Sequence, residues 1–184
     1  MSGAAREARR PAAFLDRDGT LVRDVGYARA PEQLELLPGV REGLARLRAA
    51  GFVLVVATNQ SGIGRGLLDE SAYAKQVARL DELLGVASRP DAHYFCPHHP
   101  TEAQGRYRVD CECRKPKPGL FLRAIAELGV DPARSIAIGD SARDVEAARA
   151  AGVTNVVQLG ERGAEDFGRA VERALSRSVV RPAG

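Results

Sequence analysis

The sequence of 184 residues has no tryptophan, and aromatic side chains make up only 5% of it. Proteins that bind single-stranded nucleic acid use aromatic side chains for base stacking, interleaved with clustered basic residues. The formal net charge is only +3, and much of the excess comes from arginines near the two ends of the chain. We therefore expect no nucleic-acid partner, whereas a mild positive bias suits a small anionic substrate.

The sequence also lacks any long apolar run. No stretch approaches the roughly 20 apolar residues of a membrane-spanning helix, and the apolar pair at 14–15 is too short for a signal-peptide core. We expect a cytoplasmic protein without a membrane partner. The length suits a single domain, 11–176, between flexible ends at 1–10 and 177–184, and a monomer is the default expectation.

Cysteine is scarce, and three cysteines exclude a fully paired disulfide framework. Cys96, Cys111 and Cys113 lie close together in the sequence, and His98 lies among them. Three thiolates and one imidazole in two close pairs are typical of a tetrahedral structural Zn²⁺ site. His99 could replace His98, although the Cys-x-His spacing matches Cys-x-Cys and favours His98. The alternative is a set of free cysteines in a mobile loop.

Short apolar runs alternate with segments of helical period along the rest of the chain. This order predicts a doubly wound α/β fold, a parallel sheet with helices on both faces. The predicted strands are 12–15, 52–57, 92–95, 135–138 and 153–158, and the predicted helices are 38–50, 70–84, 118–128, 141–151 and 165–175. We interpret 58–66 as a polar, glycine-rich loop. The segment 96–117 has no hydrophobic period, and a zinc loop at 96–113 would explain how it is held.

Polar residues stand just after four of the predicted strands, at Asp16, Thr58, Cys96 and Asp140. Ligands of such sheets bind beyond the carboxyl ends of the strands. We therefore expect the chemistry to converge on one edge of the sheet.

The stretch Asp16-Arg17-Asp18-Gly19-Thr20 carries two carboxylates two residues apart. One carboxylate can attack phosphorus while the other supplies a proton to the leaving oxygen. A hard divalent cation would bring a phosphate dianion close to them, and Mg²⁺ suits oxygen ligands. The alternative is a solvated acidic turn after a strand.

Three further segments carry matching chemistry. Thr58-Asn59 offers a hydroxyl and an amide to phosphate oxygens, or else forms a polar capping turn. The run 114–118, Arg-Lys-Pro-Lys-Pro, offers cations to a phosphate, or else is a solvated basic loop. Asp140 could bind the metal, together with Asp144, which could equally be an ordinary acidic residue in the first turn of a helix.

The order Asp-x-Asp-Gly-Thr, Thr-Asn, Lys-Pro and Gly-Asp-x-x-x-Asp resembles the four motifs of the haloacid dehalogenase superfamily of phosphatases. The resemblance runs from residue 14 to about 159. It implies that Asp16 is the nucleophile and Asp18 the general acid and then base, while Thr58 and Lys115 hold the phosphoryl group. It also implies that Mg²⁺ is bound by Asp16, the backbone carbonyl of Asp18, and Asp140.

A zinc loop in place of a cap domain is found in two branches of this superfamily. One branch removes the 7-phosphate of a heptose 1,7-bisphosphate in nucleotide-activated heptose biosynthesis, and the other dephosphorylates histidinol phosphate. The long spacer at 100–110 resembles the heptose branch, which implies a small phosphorylated sugar as substrate. The anomer stays open, and a catalytically silent zinc protein is disfavoured because the residues of all four motifs are intact.

The resemblance to the heptose branch also implies a sugar pocket. Arg114 would hold the second phosphate or the sugar end, and Arg65 is either a further cation or a surface residue. At Ser141 the branch often has lysine, so a cation near the substrate is missing there. The other implied pocket residues are Asp24, Val25, Gly26, Tyr27, Asn59, Gln60 and Ser61.

Overall fold

The computed structural model describes residues 9–160 and 167–178. Its strands are β1 (Ala12–Leu15), β2 (Val53–Asn59), β3 (Ala92–Cys96), β4 (Ile136–Gly139) and β5 (Asn155–Gln158). They form one parallel sheet in the order β3-β2-β1-β4-β5. Because β1 lies at the centre, the chain lays down β2 and β3 on one side and then crosses to β4 and β5 on the other.

Helices cover both faces of this sheet. They are α1 (Val40–Ala49), α2 (Ser61–Gly64), α3 (Glu70–Leu84), α4 (Gly119–Leu128), α5 (Ala142–Ala150) and α6 (Phe167–Ser176). Short 3₁₀ turns occur at Pro31–Gln33, Gly105–Tyr107 and Pro132–Arg134. None of the helices in the described part of the chain is long and apolar enough to cross a membrane.

The side chains of β1 alternate between two apolar cores. Leu15 packs with residues of α1, α3 and α6, such as Leu44 and Leu80. Phe14 packs on the opposite face with residues of α4 and α5, and its ring lies 4.8 Å from that of Phe121. Both faces of the strand are therefore buried, as expected for a doubly wound sheet. The predicted fold class is confirmed.

The boundaries differ from the predictions by a few residues, and the predicted loop at 58–66 is wrong. Thr58 and Asn59 are the last residues of β2, where they pair with Phe95 and Cys96 of β3. Residues 61–64 form the short helix α2. Polar residues at the end of a strand have the composition of a loop, and only pairing with the neighbouring strand assigns them to the sheet.

Some predictions fall on parts of the chain that the structure does not describe. The flexible ends expected at 1–10 and 177–184 lie almost wholly outside the described residues. The first two residues of the predicted helix 165–175 also lie outside, and α6 follows directly from residue 167.

The order of strands creates a crevice where β1 and β4 lie side by side and their connections diverge. The backbone amide of Asp16 donates to the carbonyl of Ile138 at 3.1 Å, so the residue after β1 is tied to the end of β4. Such switch points are where ligands bind in open α/β sheets. Asp140, which follows β4 directly, enters the same crevice.

Candidate active site

A cavity opens at the carboxyl ends of β1, β2 and β4. Its walls come from the ends of these strands, the loop after β1, the segment before α4 and the start of α5. The lining residues are Asp16, Asp18, Asp24, Gly26, Tyr27, Thr58, Asn59, Ser61, Arg65, Arg114, Lys115, Asp140, Ser141, Arg143 and Asp144. The structure thus brings together residues from all four motifs.

Lys115 occupies the base of this cavity. Its ammonium lies 2.7 Å from Asp16 Oδ1 and 2.5 Å from Asp144 Oδ1, and it donates to the carbonyl of Ala57 at 2.7 Å. The side chain is only 3% exposed. A buried ammonium is stable only when it is paired and hydrogen-bonded. Although burial opposes the charged form, Asp16 and Asp144 raise the pKa of Lys115.

Asp16, Asp140 and Asp144 form a compact carboxylate cluster. One oxygen from each lies within 4.8 Å of the others. Two glycines make this approach possible, because a Cβ atom at Gly19 would lie 2.3 Å from Asp140 Oδ2 and one at Gly139 would lie 2.4 Å from Asp144 Cβ. Gly19 also has a φ of 76°, which disfavours other residues.

Charge balance in the cluster favours a divalent cation. Three carboxylates beside one ammonium leave an excess of two negative charges in a largely buried place. Burial is the main reason that the pKa of Asp140 rises to about 6, helped by Asp16 and Asp144. Burial likewise raises the pKa of Asp16, against the opposing effect of Lys115. Carboxylate oxygens at this spacing suit Mg²⁺, which would reverse both shifts.

The carboxylate of Asp18 is not part of this cluster. It accepts hydrogen bonds from Arg17 Nη2 at 3.0 Å and from Gln60 Nε2 at 2.7 Å. The side chain remains 25% exposed and lines the cavity. The two motif aspartates therefore have different surroundings, with Asp16 against Lys115 and Asp18 more open to the cavity.

Thr58, Asn59 and Gln60, at the end of β2 and just after it, have different hydrogen-bond partners. The hydroxyl of Thr58 accepts from Gln60 Nε2 at 3.0 Å and lines the cavity. Asn59 also lines it, but its side-chain amide holds the backbone of Lys115, with both hydrogen bonds at 3.1 Å. Gln60 does not line the cavity. Its side chain is buried, and its amide donates to Asp18 and Thr58.

The loop after β1 supplies one wall. Asp24, Gly26 and Tyr27 line the cavity, and Asp24 Oδ1 accepts from the amide of Gly26 at 2.8 Å. Val25 does not line it and is 47% exposed. Ser61, at the start of α2, completes the adjacent wall.

Three arginines line the outer part of the cavity. Arg65 is paired with Glu102 and lies over the ring of Tyr27, with its guanidinium carbon 5.5 Å from the ring centre. Arg114 donates to the carbonyl of His98 at 3.1 Å. Arg143 stands in the first turn of α5 and is exposed. Arg143 was not predictable from the sequence, because an exposed arginine in a helix belongs to no recognisable motif.

Ser141 is the N-cap of α5. Its hydroxyl donates to Asp144 Oδ2 at 2.7 Å and its amide to the same oxygen at 3.1 Å. Although burial opposes ionisation, Lys115 and Ser141 together lower the pKa of Asp144. Asp144 is thus both an acid in the first turn of the helix and a partner of Lys115, so the two interpretations of its sequence position are compatible.

The three cysteines and His98 meet at one point beside the active site. Cys113 Sγ lies 3.1 Å from Cys96 Sγ and 3.3 Å from Cys111 Sγ, and His98 Nδ1 lies 3.3 Å from Cys113 Sγ. The thiols are free. His99 lies outside this group, where its Nδ1 accepts from the amide of Glu102 at 3.1 Å. Three sulfurs and one imidazole nitrogen converging in this way suit tetrahedral Zn²⁺.

A profile of the haloacid dehalogenase-like hydrolases matches residues 5–152 of the chain. Two curated proteins named D-glycero-beta-D-manno-heptose-1,7-bisphosphate 7-phosphatase are similar over most of their length. The protein from Pasteurella multocida is 45% identical over 147 residues, which cover 79% of each chain. The protein from Rhodopseudomonas palustris is 47% identical over 146 residues, covering 79% of this chain and 81% of its own.

A solved structure is similar in fold over nearly the whole chain. It is D,D-heptose 1,7-bisphosphate phosphatase from B. bronchiseptica, complexed with magnesium and phosphate. The TM-score is 0.75 at 29% sequence identity, and the match covers 91% of this chain and 99% of that chain.

The carboxylate cluster predicts a pH-dependent stabilisation by Mg²⁺. Because the pKa of Asp140 is raised from 3.8 to about 6, its contribution to stability is lost as the pH rises from about 4 through 6, and cation binding opposes that loss. At a hundredfold excess over Kd, Mg²⁺ should add about 2.7 kcal/mol, or about 5–10 °C in Tm for a chain of this length. Thermal denaturation with and without Mg²⁺ should show this gain at pH 7.5 and a smaller one at pH 5.

Asp140→Asn tests the same cluster. The variant should melt higher than the unsubstituted protein without Mg²⁺ at pH 7.5, because it removes one of the repelling charges, and it should gain little from Mg²⁺. Asp91→Asn, in an ion pair with Arg48 far from the cavity, is the matched control and should keep the full gain. If Mg²⁺ raised the Tm of Asp140→Asn as much as that of the unsubstituted protein, the assignment of the cluster as a Mg²⁺ site would be contradicted.

Proposed function

The chain belongs to the haloacid dehalogenase-like hydrolases, and we propose that it removes the 7-phosphate of D-glycero-β-D-manno-heptose 1,7-bisphosphate in a Mg²⁺-dependent reaction. The observation that carries the chemistry is Lys115, buried between Asp16 and Asp144 at the switch point of the sheet. The substrate and its β anomer are proposed from the names of the relatives. By this proposal the reaction supplies nucleotide-activated heptose biosynthesis.

The first step is phosphoryl transfer to Asp16. An oxygen of the Asp16 carboxylate attacks phosphorus and forms an O–P bond, while the bond from phosphorus to the sugar oxygen breaks. The carboxyl group of Asp18 gives its proton to that leaving oxygen. Lys115 and the hydroxyl of Thr58 bind the equatorial oxygens of the transferring group, and such positioning with charge neutralisation is what phosphoryl transfer mainly requires.

The second step releases phosphate. The Asp18 carboxylate takes a proton from a water molecule, whose oxygen attacks phosphorus as the bond to Asp16 breaks. Both aspartates return to their starting states. Asp16, Asp140 and the backbone carbonyl of Asp18 would hold Mg²⁺, with Asp144 beside them. When bound, Mg²⁺ neutralises charge on the phosphoryl oxygens.

The cations of the outer cavity support a bisphosphate as substrate. Arg114 and Arg143 line the cavity together with Arg65, and of the three only Arg65 has a carboxylate partner within the described residues. Two uncompensated guanidinium groups suit a second phosphate. Histidinol phosphate carries an ammonium group at its far end and would be repelled there. By this proposal, these arginines supply the positive charge that a lysine at position 141 would otherwise provide.

We also propose that the thiol cluster is a structural Zn²⁺ site, formed by Cys96, His98, Cys111 and Cys113. It would stabilise the segment 97–117 between β3 and α4, whose only helical element is one 3₁₀ turn. Cysteines stay out of disulfides, and so able to bind Zn²⁺, in reducing compartments, which supports a cytoplasmic location. A monomer remains a prediction.

A substrate panel tests the proposed activity. Phosphate release with Mg²⁺ should be measured for both anomers of heptose 1,7-bisphosphate, fructose 1,6-bisphosphate, histidinol phosphate and 4-nitrophenyl phosphate. Hydrogen bonds to a charged group contribute about 1.5–3 kcal/mol, so kcat/KM should favour the β-heptose bisphosphate over histidinol phosphate by about tenfold or more. A preference for histidinol phosphate, or no preference, would contradict the proposed substrate.

Arg114→Ala sharpens this test. It should lower kcat/KM for the heptose bisphosphate by about tenfold and change kcat/KM for 4-nitrophenyl phosphate much less. Arg108→Ala, an exposed arginine of the same segment, is the matched control and should change neither. Equal losses on both substrates for Arg114→Ala would remove its role in selecting the bisphosphate.

The zinc site makes a separate prediction. The purified protein should carry one Zn²⁺ per chain, and His98→Ala should lose it and melt about 5 °C or more below the unsubstituted protein, because ligation contributes folding energy. His99→Ala, whose ring lies outside the cluster, should keep the metal. Elemental analysis and thermal denaturation check both variants. An unchanged Tm after complete removal of Zn²⁺ would contradict a structural site.

A further inference from the structure

Arg17, between the two aspartates of the first motif, is buried and hydrogen-bonded through all three of its side-chain nitrogens. Only 4% of its side chain is exposed. Its Nε and Nη2 atoms donate to the carboxylate of Asp18 at 3.0–3.2 Å, and Nη2 also donates to Gln60 Oε1 at 3.1 Å. Its guanidinium carbon lies 5.3 Å from the centre of the Tyr73 ring. One edge of the guanidinium group therefore fixes the plane of the Asp18 carboxylate.

The other edge of the guanidinium group is held by α3. Nη1 donates to Gln76 Oε1 at 2.9 Å. Within the described residues, Gln76 is the acceptor of Nη1. Gln76 has no exposed surface. Its own amide donates to the carbonyl of Ala28 at 2.7 Å, at the end of the loop that carries the pocket residues Asp24 and Tyr27.

A buried glutamine on an apolar face of α3 calls for an explanation. The neighbouring inward positions of the helix, Tyr73, Leu80 and Leu84, are hydrophobic. Burial of an amide at such a site is unfavourable unless both its ends are hydrogen-bonded. The two bonds of Gln76 meet that requirement, and one of them is to Arg17. Without Gln76, Nη1 of Arg17 would lose its acceptor in the protein interior. The guanidinium group could then rotate.

From this geometry we infer that Gln76, acting through Arg17, is a positioning residue for Asp18. The inference rests on the proposed role of Asp18 as general acid. The path runs from Ala28 through Gln76 and Arg17 to the Asp18 carboxylate, which stays 25% open to the cavity. Proton delivery demands a hydrogen-bond distance to the leaving oxygen. Arg17 fixes the plane of the Asp18 carboxylate, and the exposed part of that carboxylate can reach the leaving oxygen.

The dependence of rate on the leaving group separates positioning from a general effect on folding. A sugar or alkyl oxygen leaves poorly and needs the proton, whereas 4-nitrophenolate leaves well without it. The ratio kcat/KM reports the steps up to phosphoryl transfer, so water attack on the phosphorylated enzyme does not enter. Gln76→Met keeps the volume and removes both hydrogen bonds. Arg17→Lys keeps the charge but cannot bridge Asp18, Gln60 and Gln76 together.

Both variants should lower kcat/KM for the sugar phosphate by about tenfold and that for 4-nitrophenyl phosphate less than about threefold. The double variant should lose little more than Arg17→Lys alone, because the two residues act along one path. Leu80→Val, a buried apolar change on α3, is the control for stability and should not alter the ratio of the two substrates. Tm is recorded for every variant.

Asp18→Asn decides how a negative result is understood. If Asp18→Asn shows the selective loss and Gln76→Met and Arg17→Lys lower both substrates equally or not at all, the positioning role is overturned and the proposed function stands. If Asp18→Asn itself shows no selective loss, the assignment of the general acid fails, and the inference fails with it.

Discussion

The active site depends on one buried ammonium group. Lys115 joins Asp16, which follows β1, to Asp144, on the first turn of α5, at distances of 2.7 and 2.5 Å. Without this cation, carboxylates from two separate strand ends would repel each other in a place with little water. The sheet order makes the contact possible, because β1 and β4 are neighbours whose connections diverge. The proposed nucleophile, metal ligands and phosphate-binding cation therefore all lie at this one junction of β1 and β4.

Lys115 lies in the segment between β3 and α4, which contributes few side chains to the apolar cores. Cys113 of the thiol cluster stands two residues before it, and Asn59 at the end of β2 holds its backbone from the other side. Arg114, between them, faces the outer cavity. The thiol cluster and the sheet edge therefore fix the reactive cation and the arginine beside it. By this account, loss of the cluster would disturb the active site through position, not through chemistry.

The sequence predicted the parts of this arrangement that rest on local pattern. Apolar runs located the five strands of the described sheet to within a few residues, and their alternation with helices predicted a parallel sheet with Asp16 and Asp140 at one edge. Side-chain direction was not predictable in the same way. Gln60 was expected in the sugar pocket but is buried beneath Asp18, since its direction depends on packing against Arg17. Gln76 carries no motif, and its contact with Arg17 spans 59 positions, which local pattern cannot report.

The most direct test of the account is chemical trapping of the intermediate. The enzyme would be quenched during turnover of a heptose bisphosphate with Mg²⁺, reduced with borohydride and mapped by peptide mass spectrometry. An acyl phosphate is reduced to the alcohol, so homoserine is expected at position 16, with Asp18, Asp140 and Asp144 unchanged. Homoserine at another position, or turnover without any trapped residue under conditions that accumulate the intermediate, would contradict Asp16 as the nucleophile.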